Sequence, residues 1–250
     1  MTIDQGGGPA VLLLHGIGGR ASLWAQTIAA LSDRHRVIAM DMPGYDGTSP
    51  ALGSFEALAD AAVALLDARG IASADVIGHS LGGMIALEIA LRHPTRVRRL
   101  VIVASSAAFG SRDPAFRADF LAARLKPLDA GLGMMGAAIG LMPAMLGSAA
   151  DPVVAKAAVA AMGGVNEAAY RVTLEMLTGF DRRADLPRLT QRTLLIAGDA
   201  DMTAPPRGMA RMADAMNVAR MVVIPGAGHL VPLEAPEAFH AALLDFLAED

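Results

Sequence analysis

Short apolar runs bounded by turn residues alternate along this chain with longer stretches of helical periodicity. The runs Val11–Leu14, Val37–Met40, Asp75–Ile77, Leu100–Ala104, Thr193–Ala197 and Met221–Ile224 predict strands buried on both faces. Between them, Ser22–Leu31, Phe55–Arg69, Leu81–Arg92, Pro206–Met216 and Pro236–Leu247 predict helices. Strands that alternate with helices in this way build a doubly wound, mostly parallel α/β sheet. The alternation stops after Ser106. Up to about Pro187 the chain is rich in Ala, Met and Gly, with helical spacing and no strand pattern. The expected organisation is therefore a core of residues 1–106 and 188–250 carrying a helical insertion, 107–187, over the sheet. Its methionines read first as filler for irregular gaps, and Met134, Met142 and Met145 are candidates to line an apolar substrate pocket.

One stretch complicates this picture. From Ala130 to Ala150 no residue is charged, and about twenty apolar residues suffice to cross a bilayer. Six glycines and prolines interrupt it (Gly131, Gly133, Gly136, Gly140, Pro143, Gly147), and it lies inside an alternating pattern, so a buried or pocket-lining segment is expected and no membrane span.

The chain has 250 residues, which fits one enzyme-sized domain, and its net charge of -4 offers no field for gathering nucleic acid. With no cysteine, disulfides, thiolate metal sites and a cysteine nucleophile are excluded. Residues Met1–Pro9 lack the basic patch and apolar stretch of an export signal, so a cytoplasmic location is expected.

The chemistry concentrates at strand ends. Gly78-His79-Ser80-Leu81-Gly82-Gly83 follows a strand and opens a helix, the setting of a G-x-S-x-G nucleophile elbow. Such a turn strains the serine backbone and exposes its hydroxyl, and it needs small neighbours two residues to either side. The first amide of the following helix, that of Leu81, would face a developing oxyanion. Serine needs a base and an orienting acid. Gly198-Asp199-Ala200-Asp201 offers two candidate acids, and Gly226-Ala227-Gly228-His229 offers the base, each at the C-terminal end of a strand. His79 reads as a packing residue, His35 and His93 as surface residues, and His240 lies in the last helix. In His15-Gly16-Ile17-Gly18-Gly19 the Ile17 amide can supply a second oxyanion donor, each donor being worth about 3 to 4 kcal/mol in the transition state. The same loop, with Asp41 ending the next strand, also satisfies a dinucleotide-binding fingerprint. The Tyr-x-x-x-Lys of a short-chain reductase is absent, and that reading leaves Ser80, Asp201 and His229 unexplained.

Together, the HG loop at His15, the D-x-P-G stretch at Asp41–Gly44, the elbow, the G-x-x-D segment and the final G-H resemble the alpha/beta-hydrolase superfamily over nearly the whole chain. The resemblance implies the alpha/beta-hydrolase fold with a helical cap inserted after its sixth strand. It selects Asp201 over Asp199 as the acid beside Ser80 and His229. It also implies hydrolysis through an acyl-enzyme, with oxyanion donors at Ile17 and Leu81 and with no metal or organic cofactor. Gly226–Phe239 and the short cap are similar to small-molecule esterases, 3-oxoadipate enol-lactonases and carbon-carbon bond hydrolases. Ser80 stands where haloalkane dehalogenases and epoxide hydrolases carry aspartate. Two features depart from the pattern. One of the two strands that usually precede the HG strand is expected to be missing, and Asp46 occupies the second glycine position of D-x-P-G-x-G. The Ala-, Met- and Gly-rich composition of the cap suggests a mostly uncharged pocket and a small, mostly apolar ester or lactone, with short to medium acyl chains preferred over charged ones; the enol-lactonase alternative would instead use an arginine such as Arg124 or Arg171 to hold a carboxylate. A small-molecule receptor of the same fold is the non-enzymatic alternative.

Overall fold

A computed structural model describes residues 1–109 and 113–249; residues 110–112 of the expected insertion and residue 250 of the expected core lie outside the described residues. In chain order the strands are β1 Thr2–Gln5, β2 Ala10–Leu14, β3 Arg36–Met40, β4 Ala74–His79, β5 Val97–Val103, β6 Arg192–Gly198 and β7 Ala219–Ile224. The helices are α1 Ala25–Leu31, α2 Phe55–Asp67, α3 Leu81–Arg92, α4 Pro114–Asp129, α5 Gly133–Leu141, α6 Pro152–Gly163, α7 Glu167–Leu177, α8 Pro206–Asp214, α9 Val231–Glu234 and α10 Pro236–Ala248. The seven strands form one sheet in the order β1-β3-β2-β4-β5-β6-β7. All pairings are parallel except that of β1 with β3.

Each of the six apolar runs forms a strand. β2 is buried at every residue, as a strand covered by helices on both faces must be. β5 begins at Val97 rather than Leu100, because Arg98 and Arg99 belong to the strand and turn their charges onto buried Asp75 of β4. The Arg98 Nε donates to Asp75 Oδ1 at 3.0 Å and Arg99 lies 3.6 Å from the same carboxylate. The polar Thr2–Gln5 stretch shows no apolar run, yet it pairs antiparallel along the sheet edge. Its Asp4 is held there by Arg36 at 2.9 Å and Arg69 at 3.0 Å. Among the described residues, β1 precedes the strand leading into the HG loop.

Two apolar layers cover the sheet. On one face Trp24, Ile28, Phe239, Leu243 and Phe246 pack against Val11, Val101 and Ile196; on the other α2, α3 and α8 meet the insertion. Between β5 and β6 the chain runs through α4 to α7. The uncharged stretch from Ala130 to Ala150 breaks into α5 and the short 3-10 turn Met142–Ala144, with Gly131 and Gly133 at positive φ (75° and 61°) ending one helix and starting the next. Among the described residues, no helix is long and apolar enough to cross a membrane.

Candidate active site

Ser80 sits between the end of β4 and the start of α3 at φ 53° and ψ -117°, a conformation that a non-glycine residue adopts only under constraint. Its flanking glycines supply the constraint. A Cβ on Gly78 would come within 2.1 Å of the Gly82 carbonyl oxygen, and one on Gly82 within 2.1 Å of the Leu14 carbonyl oxygen. The turn is pinned from β5 as well: the Ser80 amide donates to Val103 O at 2.9 Å, and Ser105 Oγ donates to Ser80 O at 2.6 Å.

β6 and β7 deliver the other two groups to the same sheet edge. Ser80 Oγ lies 2.9 Å from His229 Nε2, and His229 Nδ1 lies 2.8 Å from Asp201 Oδ2. A carboxylate only accepts, so the ring carries its proton on Nδ1 and donates it to Asp201; Nε2 is then the acceptor for the Ser80 hydroxyl. Asp201 and His229 are 2% and 1% exposed, which shields this chain of bonds from water. Burial pushes the Asp201 carboxyl up. The bond from His229 and the amides of Ala204 (3.0 Å) and Thr203 (2.7 Å) outweigh it and hold the group below its ordinary range. Asp199 serves the neighbouring loop instead. Its exposed carboxylate accepts the Gly226 amide at 2.7 Å and braces the turn before His229.

The remaining histidines also find defined places. His15 accepts the Met42 amide at Nε2 (3.0 Å), so Nδ1 donates to Gly16 O (2.8 Å), and these bonds fix the loop carrying Ile17. Burial lowers its pKa to about 4. His79 turns its Nε2 to the backbone oxygen of His229 and donates to it at 2.8 Å. Burial, with the neighbouring His229, lowers its pKa to about 3. His93 bonds Asp60 at 2.7 Å, His240 meets Thr27 at 3.1 Å, and His35 is half-buried. The dinucleotide reading does not survive the loop geometry. Asp41 turns its carboxylate inward to the Ala21 amide at 2.7 Å, and Gly16–Gly19 closes a tight turn (Gly19 N to Gly16 O, 2.9 Å) instead of opening a helix. Asp46, out of pattern, accepts the Thr48 amide at 3.0 Å and closes its own turn.

Glu234 lies in the Gly226–Phe239 segment with no role assigned from the sequence, and it bears on the site. Its Oε2 accepts the amides of Gly147 (2.7 Å) and Gly228 (3.0 Å), and its Oε1 accepts that of Leu230 (2.8 Å). The His229 amide itself donates to Met145 O at 2.7 Å. The insertion is thereby bonded directly to the loop that holds the histidine. The one signal in the sequence is an acidic residue inside the apolar run His229–Ala235, where a carboxylate needs partners.

Two cavities meet at Ser80, and Ile17, Met145 and His229 line both. The smaller, about 50 Å³, is apolar and bounded by Leu23, Trp24, Met142 and Met162. The larger, about 800 Å³, runs beneath α4 and is bounded by Phe109, Phe116, Phe120, Leu141 and Leu177. Met134 lines neither. It is buried with Ala137 and Ala138 on the inner side of α5, in the core, so its expected place along a pocket is corrected to packing. Among the described residues, no three His, Asp or Glu side chains converge on a possible metal site.

Fold and site define a hydrolase framework, and comparison with known proteins agrees. The profile of the alpha/beta hydrolase fold family matches residues 9–236. A RutD protein of Stutzerimonas stutzeri (strain A1501), provisionally named a carbamate hydrolase, is 34% identical over 248 residues, covering 96% of this chain and 92% of that one. The enol-lactonase of Burkholderia xenovorans LB400 superposes with a TM-score of 0.89 at 28% identity, covering 100% of this chain and 96% of that one. An esterase of Thermogutta terrifontis superposes with a TM-score of 0.89 at 27% identity, over 99% and 92% of the two chains. The chain belongs to the alpha/beta hydrolase fold family and is a hydrolase of that fold.

Proposed function

We propose that the protein is a serine hydrolase cleaving a small, mostly apolar carboxylic ester or lactone. The observation that carries this reading is the continuous line of hydrogen bonds from Ser80 Oγ through His229 to Asp201, at 2.9 and 2.8 Å. Ser80 Oγ attacks the carbonyl carbon as its proton passes to His229 Nε2. Asp201 holds the ring in the reactive tautomer and stabilises the imidazolium. Leu81 opens α3, so its amide has no partner within the helix, and with the Ile17 amide it donates to the oxyanion. Collapse of the tetrahedral adduct breaks the bond to the leaving oxygen, which takes the proton from His229. Water, deprotonated by the same nitrogen, then hydrolyses the acyl-enzyme and restores Ser80.

The names of the relatives support a carbonyl carbon bearing a heteroatom leaving group, since carbamate, enol-lactone and ester share that centre. The expected division of the chain, a core of 1–106 and 188–250 under a cap of 107–187, is carried into this reading with the cap forming the substrate cavities. The test is hydrolysis of a 4-nitrophenyl ester panel by wild type and Ser80→Ala, beside labelling by a fluorophosphonate. Turnover within the usual enzyme range of about 1 to 1,000 per second on one substrate class, lost with labelling in the variant, is expected. Turnover slower than about one per hour on every class, with a large ligand-induced thermal shift, would establish the receptor alternative instead.

A further inference from the structure

Ile17, the second oxyanion donor of the proposed mechanism, lies outside any helix or strand, in a loop that closes through Gly19 N to Gly16 O at 2.9 Å and has Gly18 at φ 72°. Such a segment moves readily unless both of its ends are tied. His15 anchors the start through Met42 and Gly16. The far end depends on Arg20, which is extended at φ -147° and ψ 161° and carries its guanidinium to three segments distant in the chain. Nη1 lies 3.6 Å from Asp41 Oδ2, just after β3, an oxygen that the Met1 amine also approaches at 3.2 Å. Nη2 donates to the carbonyl oxygen of Gly164, the residue that caps the C-terminal end of α6, and reaches that of Tyr45 at 3.4 Å. The Tyr45 carbonyl also accepts the Asn166 amide at 3.0 Å, so the passage from α6 into α7 is bonded twice to the same core loop. Carbonyls at the end of a helix lack partners within it, and a guanidinium suits them by its donors and by its charge at the negative end of the dipole. Met162, in the last turn of α6, is 3% exposed and lies so close on Gly18 that a Cβ there would come within 2.9 Å of its Cγ. With Ile17 and Ser80 it also lines the smaller cavity. The insertion thus presses on one side of the loop while Asp41 holds the other through the Ala21 amide at 2.7 Å, and Arg20 joins the two.

We infer that Arg20 is a positioning residue: by clamping the end of α6 against the loop His15–Gly19, it fixes the Ile17 amide where the oxyanion forms. It lines neither cavity and so acts through the loop, without touching the substrate. An oxyanion donor works over a narrow range, about 2.7 to 3.1 Å from the oxygen it stabilises, and removing one costs roughly 10² to 10³ in kcat. Loss of Arg20 displaces the donor without deleting it, so a smaller loss, roughly 10- to 100-fold, is expected. The charge develops in the transition state and is absent from the bound ester, so the loss falls on kcat and leaves KM within about threefold. The joint at Glu234 bears on the base; this second joint between insertion and core bears on the groups that receive negative charge. The inference rests on the serine-hydrolase reading, and the experiment separates the two.

The experiment compares wild type, Arg20→Met and Arg20→Lys on 4-nitrophenyl butyrate, with butylboronic acid as inhibitor. The boronic acid adds to Ser80: the hydroxyl proton passes to His229 Nε2, an O–B bond forms, and the negative charge settles on the tetrahedral boronate, one of whose oxygens takes the oxyanion position. Its inhibition constant therefore reports the oxyanion donors without turnover. Arg20→Met is expected to lower kcat by roughly 10- to 100-fold and to weaken boronate inhibition by a similar factor, with KM within about threefold. Arg20→Lys keeps a charge near Asp41 but loses the fork that spans Asp41 and Gly164, and should lie between the two. A merely structural role would lower the thermal midpoint and leave kcat and boronate inhibition of the folded protein unmoved; that result, or a loss confined to KM, would overturn the assignment. Should Arg20→Met fail to fold, Arg20→Lys decides: a matched fall in kcat and boronate affinity supports the clamp, and wild-type values for both overturn it. Hydrolysis or boronate inhibition that survives Ser80→Ala removes the catalytic reading; Ser80-dependent hydrolysis that the Arg20 variants leave unmoved removes Arg20 alone.

Discussion

Two buried neutral histidines make the fold sensitive to acid well above the range in which carboxylates titrate. His79 and His15, at 8% and 2% exposure, have pKa values lowered from 6.5 to about 3 and about 4, chiefly by burial. Asp201 near His79 and Asp41 near His15 pull in the opposite direction without reversing the shift. As pH falls below 6.5 the unfolded chain takes up both protons first, so stability is fully present above that value and declines toward the folded pKa values. At about pH 5 each histidine is roughly 1.5 units below its unfolded pKa, worth about 2 kcal/mol, so the pair costs about 4 kcal/mol relative to about pH 8. That is a large fraction of the roughly 5 to 15 kcal/mol of an ordinary domain. Urea denaturation at a series of pH values between 8 and 5 measures it. His79→Gln, which keeps a donor for the His229 carbonyl, should remove about half of the pH-dependent loss. Asp201, held below its ordinary range, adds a loss of the same sign at lower pH. A stability flat from pH 8 to 5, or a slope unchanged by His79→Gln, would refute the reasoning.

Asp201→Asn should lower kcat by up to about 10⁴-fold with little change in thermal stability, because an amide favours the wrong tautomer of His229. Asp199→Asn, which only weakens a bond to the Gly226 amide, should cost less than tenfold, and a larger loss from it would reassign the acid. Glu234→Gln loses one of the two acceptor oxygens that hold Gly147, Gly228 and Leu230. Steady-state kinetics beside a thermal melt should record a destabilisation of about 1 to 3 kcal/mol and a fall in kcat larger than any change in KM. An unaltered kcat in a folded Glu234→Gln protein would show that the histidine loop is positioned without it.

Residues whose chemistry is fixed by the local chain were legible in the sequence. Gly78, Ser80 and Gly82 declare a strained turn because the collisions that exclude larger residues arise within a few positions and from the adjacent strand. The approach of His229 and Asp201 to Ser80 could be read because parallel strands deliver their C-terminal ends to one edge. Other features depend on partners distant in sequence. Asp199 and Asp201 lie in one turn that by itself leaves the acid open; the resemblance points to Asp201, and the fold shows Asp201 reaching His229 while Asp199 reaches Gly226. Met134 and Met142 share a composition-biased segment and are buried in the same core cluster, but only Met142, in the 3-10 turn after α5, also lines the smaller cavity. Arg124 and Arg171 look alike until the ion pairs of Arg171 are seen. β1 carries almost no apolar signal, because an edge strand can be held by its backbone ladder and by Asp4.

The bonds from His229 N to Met145 O and from Gly147 N to Glu234 bear on how such a protein can diversify. A cap that merely rested on the sheet could be exchanged for a foreign one as a cassette, altering what is bound while the machinery beneath runs on. Here residues 145–147 are part of that machinery's mounting. A Cβ on Gly228 would come within 2.3 Å of the Gly147 amide nitrogen, so even the spacing between the two loops is set jointly. Substitutions along α4 can therefore retune the larger chamber freely, whereas a transplant that cuts through 145–147 must bring its own carbonyl and amide to the same places or leave the histidine unsupported.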